Sequence, residues 1–213
     1  MRKLGLAFAH LNLRWNPFGE ASAEDIAQLA IVQVEQYVER LKRPGFALQF
    51  MGDPGRGKTT HMLALRGFFP QAPYFHFAEG AAIPEIPEAP LLFLDETQRL
   101  PRSLRSRIFS WQASFVIGTH YDHSRELKKA GKECTVVLIK GITAGQLDAI
   151  IRRRIEWARR GPGPVPAVTH AEIARFIQDY KDDLSAIFSQ LYEKFQAMEG
   201  ITDVNESDQD TVR

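Results

Sequence analysis

The chain has 213 residues, of which 44% are hydrophobic and 25% are charged, as in globular proteins and unlike wholly disordered ones. Its 27 Lys and Arg nearly balance 26 Asp and Glu, giving a net charge of +1, so the chain as a whole is not a basic nucleic-acid coat, although a local basic patch stays open. A single cysteine, Cys134, excludes a disulfide framework and a cysteine-based zinc site. No apolar run is long enough to span a membrane, and the N-terminal one is short and interrupted. We therefore expect no membrane insertion, no signal peptide and a cytoplasmic location.

Hydrophobic periodicity predicts an amphipathic helix over 21–42, which Pro44 and Gly45 end. A helix over 58–68 is predicted further along the chain. Five short apolar runs predict strands: FALQFMG (46–52), PYFHF (73–77), LLFLD (91–95), SFVIG (114–118) and CTVVLI (134–139). Because helical or polar segments separate most of these runs, the alternation predicts a parallel sheet covered on both faces.

From residue 142 the periodicity is helical throughout, with two apolar stripes separated by the loop 161–168. Thr169 is placed to cap a helix that ends at Tyr180, and Glu172 completes the pattern of a capping box. The chain is therefore expected to divide into four parts. These are an N-terminal segment and helix packing on the core (1–43), a sheet core (44–140), a small helical domain (142–199) and a flexible tail (200–213).

The turn between the first strand and the next helix matches the pattern G-x-x-x-x-G-K-S/T. Glycines at such a turn let backbone N–H groups converge on phosphate oxygens, and the N-terminus of the helix adds the positive end of its dipole. Lys58 is expected to bridge the β- and γ-phosphates of ATP, and the Thr59 hydroxyl to bind Mg²⁺. The predicted nucleotide-binding residues here are Gly52, Asp53, Pro54, Gly55, Arg56, Gly57, Lys58, Thr59 and Thr60.

Two carboxylates follow the apolar run 91–94. A buried parallel strand ending at Asp95 would deliver both side chains to the carboxyl edge of the sheet, where ligands bind in open α/β folds. Asp95 is expected to hold Mg²⁺ through water. Glu96 is the candidate general base that polarises a water for attack on the γ-phosphate.

The run 114–118 ends at Gly118 and is followed by Thr119 and His120. A threonine at such a strand end can hydrogen-bond the attacking water or the γ-phosphate. Thr119 is the first candidate for this role and His120 the second, and an ordinary strand-terminal turn is the alternative.

Together these motifs give residues 44–199 a resemblance to AAA+ ATPases, with a Walker A motif at 52–59, a Walker B motif at 91–96, a sensor-1-like Thr119 and a helical lid. The glutamate directly after Asp95 is a further point of resemblance, to the division of P-loop ATPases that carries a catalytic glutamate. Members of that division have an extra strand between the two strands that bear the motifs, and 114–118 is the candidate for it here. The resemblance implies an α/β P-loop NTPase fold of AAA+ type with a small C-terminal helical lid.

Shorter stretches are similar to the bacterial group that includes transposition-regulator ATPases and the general-secretion ATPase. They are Asn16-Pro17-Phe18, the Gly-Thr-His strand end, and the helix at 150–155. The resemblance implies that the segment containing Asn16 and Phe18 lines an adenine pocket. A loop anchored by aromatic residues is the alternative.

One position departs from the AAA+ pattern, because Ser185 stands where the sensor-2 arginine of the lid would be. Arg154 is a substitute candidate, since it lies seven residues after Leu147 and falls on the apolar stripe of its helix. An inward-facing arginine needs a partner, which could be a phosphate or a carboxylate.

The resemblance also implies an ATP-dependent homo-oligomer, a ring or a filament, in which an arginine of one subunit acts on the nucleotide of its neighbour. Arg125 is the first candidate, and Arg99, Arg102, Arg105 and Arg107 compete with it. An inward stripe of Leu104, Ile108 and Trp111 would leave three of these competitors, Arg102, Arg105 and Arg107, facing solvent. With Lys128, Lys129 and Lys132 they could track a duplex DNA backbone, or simply form a solvated charged face.

The leading hypothesis is an Mg²⁺-dependent, ATP-hydrolysing enzyme of AAA+ type that acts as an oligomeric molecular switch or adaptor, through DNA or a protein partner. One alternative is a small-molecule kinase, which would need an arginine-bearing lid, yet residues 78–90 contain no arginine. Another is a nucleotide-binding switch that hydrolyses little, as Ser185 would permit.

Overall fold

A computed structural model describes residues 7–204 and divides the chain into two compact units. One unit comprises Ile26–Lys140, and the other combines residues up to Asp25 with residues from Gly141 onward. This differs from the expectation that all of 1–43 packs on the sheet. The reason is that Leu11, Leu13 and Phe18 are buried in the same hydrophobic cluster as the C-terminal helices.

The first unit is built on a five-stranded sheet with the order β2-β3-β4-β1-β5. All neighbouring strands are parallel, and all five predicted strands are present. The strand between β1 and β3 is β4, so the inserted strand lies where 114–118 predicts it. The strands are β1 (Phe46–Met51), β2 (Tyr74–His76), β3 (Leu91–Asp95), β4 (Ser114–Thr119) and β5 (Glu133–Leu138).

Alternate residues of the central strands enter two different hydrophobic clusters. Leu48, Phe93 and Val116 belong to one, and Leu92 and Phe115 belong to the other. Both faces of the sheet are therefore covered, as the apolar runs predict. The first cluster includes residues of α3 (Lys58–Arg66), and the second includes residues of α4 (Arg102–Phe109) and α5 (Ser124–Lys129).

The single helix predicted over 21–42 is wrong. The segment forms two short helices, α1 (Ala23–Leu29) and α2 (Val38–Leu41), and residues 30–34 between them are not helical. Ile31, Val32 and Val34 are β-branched and resist the helical conformation. Val34, which is 1% exposed, is instead buried in the hydrophobic cluster that contains Leu48 and Phe93.

Three α-helices lie wholly within the described part of the second unit: α6 (Ala144–Ala158), α7 (His170–Tyr180) and α8 (Leu184–Ala197). Thr143 and Gln146 form a reciprocal capping box at the start of α6. Thr169 caps α7 as predicted. The partner expected to complete its capping box, Glu172, instead has a fully buried side chain that accepts hydrogen bonds from Arg175.

The predicted flexible tail begins at residue 200, and its part beyond Val204 lies outside the described residues. Val204 itself is buried, and its N–H donates to the Ala167 carbonyl at 2.8 Å. The start of the tail is therefore ordered against the loop before α7. Within residues 7–204, no helix has both the length and the apolar character needed to cross a membrane.

Glu172 generates a stability prediction. Burial alone would raise its pKa, but hydrogen bonds from Arg175 and Lys194 and the charges of both outweigh it, so the pKa lies below its usual value. A carboxyl whose folded pKa is depressed stabilises the fold above its unfolded pKa and loses that contribution as pH falls. We expect Glu172→Gln to lower the free energy of unfolding by about 1–3 kcal/mol at pH 7, and the difference from wild type to shrink below about pH 4.

Urea unfolding measured across this pH range tests the expectation. Glu193→Gln on exposed α8 surface is the matched control and should change stability little at any pH. A Glu172→Gln effect that stays constant down to pH 3 would contradict the role of the carboxylate charge.

Candidate nucleotide-binding site

The turn 52–59 connects β1 to α3, which is the strand–turn–helix context that a phosphate-binding turn requires. Gly55 and Gly57 adopt φ of +77° and +88°, in the left-handed region that favours glycine. A Cβ at Gly52 would lie 2.5 Å from the carbonyl oxygen of Ile139. The backbone of the turn therefore needs glycine at all three positions.

Lys58 is the first residue of α3 and is only 5% exposed. Its Nζ donates to the carbonyl oxygens of Gly52 and Asp53, each at 2.9 Å, and lies 3.9 Å from Glu96 Oε1. Burial lowers the pKa of Lys58, and the charges of Glu96 and Asp95 oppose that shift. The ammonium group thus lies between the turn and the Glu96 carboxylate.

Asp95 ends β3 and is fully buried. Its Oδ2 accepts hydrogen bonds from the Thr59 hydroxyl at 2.7 Å and from the Tyr74 hydroxyl at 2.9 Å, and its Oδ1 accepts one from the Glu96 N–H at 3.0 Å. His76 Nδ1 lies 3.3 Å from Oδ2. A hydroxyl and a carboxylate this close are the hard oxygen ligands that Mg²⁺ prefers, so Thr59 and Asp95 fit the predicted metal.

Tyr74 and His76 are site residues that the sequence analysis missed. They are alternate residues of β2, and the parallel register pairs His76 with Asp95. Both side chains therefore fall on the same face, beside the carboxylate. Burial raises the pKa of the Tyr74 hydroxyl, and the neighbouring Asp95 charge raises it further, so Tyr74 stays a hydrogen-bond donor. The alternation of polar residues in PYFHF is the signal that could have identified them.

Gly118 is a third site residue whose role the sequence did not indicate. A Cβ at this position of β4 would lie 2.2 Å from Asp95 Oδ1 and 2.7 Å from Met62 Sδ. The Asp95 carboxylate therefore has room only because position 118 of β4 is a glycine.

Glu96 adopts φ of +60°, which is rare for a residue with a side chain. Its side chain is 13% exposed and lies among polar neighbours. Gln98 Nε2 donates to Oε2 at 2.7 Å, Arg99 Nη2 lies 3.5 Å from Oε2, and His120 Nε2 lies 3.5 Å from Oε1. Arg99 is thus part of this site within one chain, rather than a free surface arginine.

The structure does not bring Thr119 to the carboxylates. Gly118 faces Asp95, and alternate strand residues point to opposite faces, so Thr119 points away. Its buried hydroxyl bonds to the backbone N–H and carbonyl of Tyr121 and lies 3.1 Å from His123 Nε2. His120, the second candidate, faces Glu96 instead. Its Nε2 is buried and makes no hydrogen bond to any described residue.

The other predicted site residues of the adenine pocket and lid lie in the helical unit. Asn16 Nδ2 donates to the Tyr192 carbonyl at 2.9 Å, and the Phe18 ring packs 5.1 Å from that of Phe195. Arg154 Nε donates to the Pro17 carbonyl at 3.0 Å, and its guanidinium stacks 4.6 Å above the Phe188 ring.

Burial lowers the pKa of Arg154. The sequence leaves a phosphate and a carboxylate open as its partner. Within residues 7–204, no carboxylate forms an ion pair with Arg154. Ser185 lies in the first turn of α8.

The arginines and the lysine predicted to face solvent differ in their environments. Arg102, Arg107 and Arg125 are exposed. Arg105 instead donates to Glu126 at 2.8 Å, and Lys132 is buried and donates to the Trp111 carbonyl. The expectation that Arg105 and Lys132 belong to a solvent-facing basic run is therefore corrected, because each has a partner within the fold.

Comparison with known proteins gives a fold but no close relative. No family model and no curated protein matches the sequence. Among solved structures, the chain is similar to a mutant of RuvB from Thermotoga maritima, with a TM-score of 0.54 and 13% identity over 88% of this chain and 67% of that one. The chain has an α/β P-loop fold of AAA+ type. This likeness does not confirm the more specific similarity to transposition-regulator and secretion ATPases.

The contact between Gly118 and Asp95 generates a prediction. We expect Gly118→Ala to lower the free energy of unfolding by about 1–3 kcal/mol, because the methyl group must displace the carboxylate or Met62. Gly145→Ala is the matched control, since a Cβ there meets no atom within 4 Å. Urea unfolding of the two variants measures the difference. Equal stability of Gly118→Ala and wild type would show that the carboxylate lies elsewhere.

Proposed function

We propose that this chain is an Mg²⁺-dependent ATPase of AAA+ type, which converts ATP and water to ADP and phosphate. The observation that carries the proposal is the meeting of the glycine turn 52–59 and the end of β3 at the carboxyl edge of the sheet. The Thr59 hydroxyl lies 2.7 Å from Asp95, and the Lys58 ammonium lies 3.9 Å from Glu96, both at the glycine turn 52–59.

In this proposal the turn binds the triphosphate through its backbone N–H groups and the positive end of α3, and Lys58 contacts the β- and γ-phosphates. Thr59 and Asp95 would hold Mg²⁺, Asp95 through water. The metal, when bound, neutralises charge that develops on the phosphate oxygens. Tyr74 and His76 orient the Asp95 carboxylate so that it faces Thr59.

Glu96 is the general base. It accepts a proton from a water molecule whose oxygen attacks the γ-phosphorus, while the bond from that phosphorus to the β–γ bridging oxygen breaks and ADP leaves. Its left-handed backbone turns the carboxylate back toward Lys58, where the γ-phosphate would lie. Gln98 and Arg99 hold the carboxylate in place.

We assign the role first expected of Thr119, contact with the attacking water or the γ-phosphate, to His120. Two observations support this change. The Thr119 hydroxyl is occupied by Tyr121 and His123, whereas His120 Nε2 lies at the Glu96 carboxylate without a hydrogen bond to any described residue.

Three further assignments complete the proposal. Arg154 substitutes for the sensor-2 arginine missing at Ser185, and the segment with Asn16 and Phe18 lines the adenine pocket. Arg125 acts on the nucleotide of a neighbouring copy, which requires the ATP-bound protein to assemble as a ring or filament. An exposed position on α5 suits that role.

Two variants separate nucleotide binding from turnover. We expect Lys58→Ala to abolish ATP binding, because the turn loses its buried cation. Glu96→Gln should keep binding and lower turnover by about 10²–10⁴-fold, because the general base is removed. A fluorescent ATP analogue measures binding, and release of inorganic phosphate measures turnover. Equal loss of binding in both variants would remove the assignment of Glu96, and phosphate transfer to a small acceptor would favour a kinase.

A second pair of variants tests His120 against Thr119. We expect His120→Ala to lower turnover by about 10²-fold while ATP affinity is kept. Thr119→Val should lower the free energy of unfolding by about 1–2 kcal/mol through its lost hydrogen bonds, with little change in the turnover of the folded protein. Steady-state kinetics and urea unfolding of both variants report the two quantities separately. A turnover defect confined to Thr119→Val would reverse the assignment.

A further inference from the structure

Residues 83–88 repeat the tripeptide Ile-Pro-Glu, and Ala89 and Pro90 continue its pattern. Proline fixes its own φ near −65°, and it keeps the residue before it out of the helical region. Both restrictions recur every three residues here. Polyproline II helix has three residues per turn, so each residue type of the repeat falls on its own face. The sequence therefore favours a stiff rod with an apolar, a proline and an acidic face.

The structure agrees with this period. Residues 81–89 form neither helix nor strand. Within 81–90, Ile86 and Ala89 are the partly buried residues, three positions apart, and both pack on the cluster that contains residues of α4 and α5. Glu85 and Glu88 are exposed. We name residues 83–90 the acidic rod. At about 3.1 Å per residue it is about 25 Å long.

The same unit carries a surface of opposite charge. A cleft between α4 and α5 is lined by Arg102, Arg105, Arg125 and Lys129, together with Asp122 and Glu126. We name it the basic cleft.

Both carboxylates of the basic cleft are engaged by their own neighbours. Glu126 accepts hydrogen bonds from Arg105 and Ser106, and Asp122 accepts them from Gln49 and Ser124. His123 adds no positive charge, since burial and the nearby Arg105 lower its pKa to about 4.

The exposed cations of the basic cleft are therefore left unbalanced. Within residues 7–204, no ion pair joins Arg102, Arg125 or Lys129 to a carboxylate, and none joins Glu85 or Glu88 to a cation. One copy of the chain thus presents an acidic surface and an open basic surface, both on its sheet unit, and no ion pair among the described residues neutralises Glu85, Glu88, Arg102, Arg125 or Lys129.

We propose that the acidic rod of one copy docks in the basic cleft of the next. Because the rod and the cleft are different surfaces, copies can join head-to-tail, with the rod of each copy in the cleft of the next. Such a contact generates a ring or a filament. The rod is already restricted by its prolines, so little conformational entropy is lost when it is ordered at an interface. The contact also brings α5, which carries Arg125, against the neighbouring copy. This inference rests on the proposed ATP-dependent assembly and names its interface.

A charge-swap experiment tests the contact. Variant A carries Glu85→Lys and Glu88→Lys, and variant B carries Arg102→Glu and Lys129→Glu. Light scattering with a hydrolysis-resistant ATP analogue measures assembly. We expect each variant alone to weaken assembly about tenfold or more, because like charges then face each other. An equimolar mixture of A and B should assemble again, because every rod then meets a cleft of opposite sign.

Two controls make the result specific. Glu20→Lys with Glu193→Lys makes the same change in net charge as variant A, at exposed carboxylates of the other unit, and should assemble like wild type. Binding of the fluorescent ATP analogue to each variant shows that the fold and the nucleotide site are intact.

The outcomes separate the interface from the function that it rests on. Wild-type protein that binds nucleotide but stays monomeric would overturn the assembly itself. Wild-type assembly with no effect of either charge reversal, or with no recovery in the mixture, would overturn the interface alone. Duplex DNA binding that variant B loses, in protein whose assembly is unchanged, would assign the basic cleft to nucleic acid and also overturn the proposal.

Discussion

The site depends on one buried charge, the Asp95 carboxylate, which is fully enclosed beneath the carboxyl edge of the sheet. A buried carboxylate is costly unless hydrogen bonds replace its water. Here donors come from three directions: Thr59 on α3, Tyr74 on β2, and the backbone of Glu96. Gly118 on β4 contributes by having no side chain. Four segments that are distant in sequence must therefore fold together before the carboxylate and the Thr59 hydroxyl can lie 2.7 Å apart.

The strands were predictable because each is a short, largely apolar run. Burial on both faces of β1, β3 and β4 removes any need for alternation in those three. The turn 52–59 between β1 and α3 was also predictable, because its glycines are local requirements of backbone geometry. The helix predicted over 21–42 failed because periodicity takes no account of the β-branched Ile31, Val32 and Val34, and because Val34 is buried in the core of the sheet unit.

The remaining errors at the site come from relations between strands. Thr119 and His120 are adjacent in sequence but face opposite ways, and only the contact of Gly118 with Asp95 shows which of them meets Glu96. Tyr74 and His76 become site residues only because β2 is the neighbour of β3 in the sheet order. Sequence spacing within one strand cannot supply strand order, so these assignments needed the fold.

Arg99 lies between Glu96, the candidate general base, and Glu79, which is in the segment that leads to the acidic rod. Its guanidinium lies 3.5 Å from the Glu96 carboxylate and 3.7 Å from that of Glu79, and it also donates to the Phe77 carbonyl. Glu79 lies at the start of the segment that continues into the acidic rod, so one cation is shared between the candidate general base and the chain leading to the proposed interface. In the proposed switch, a contact at the acidic rod that displaced this segment would change the charge environment of Glu96 through Arg99. Arg99 is therefore the side chain that would couple assembly to hydrolysis in that proposal.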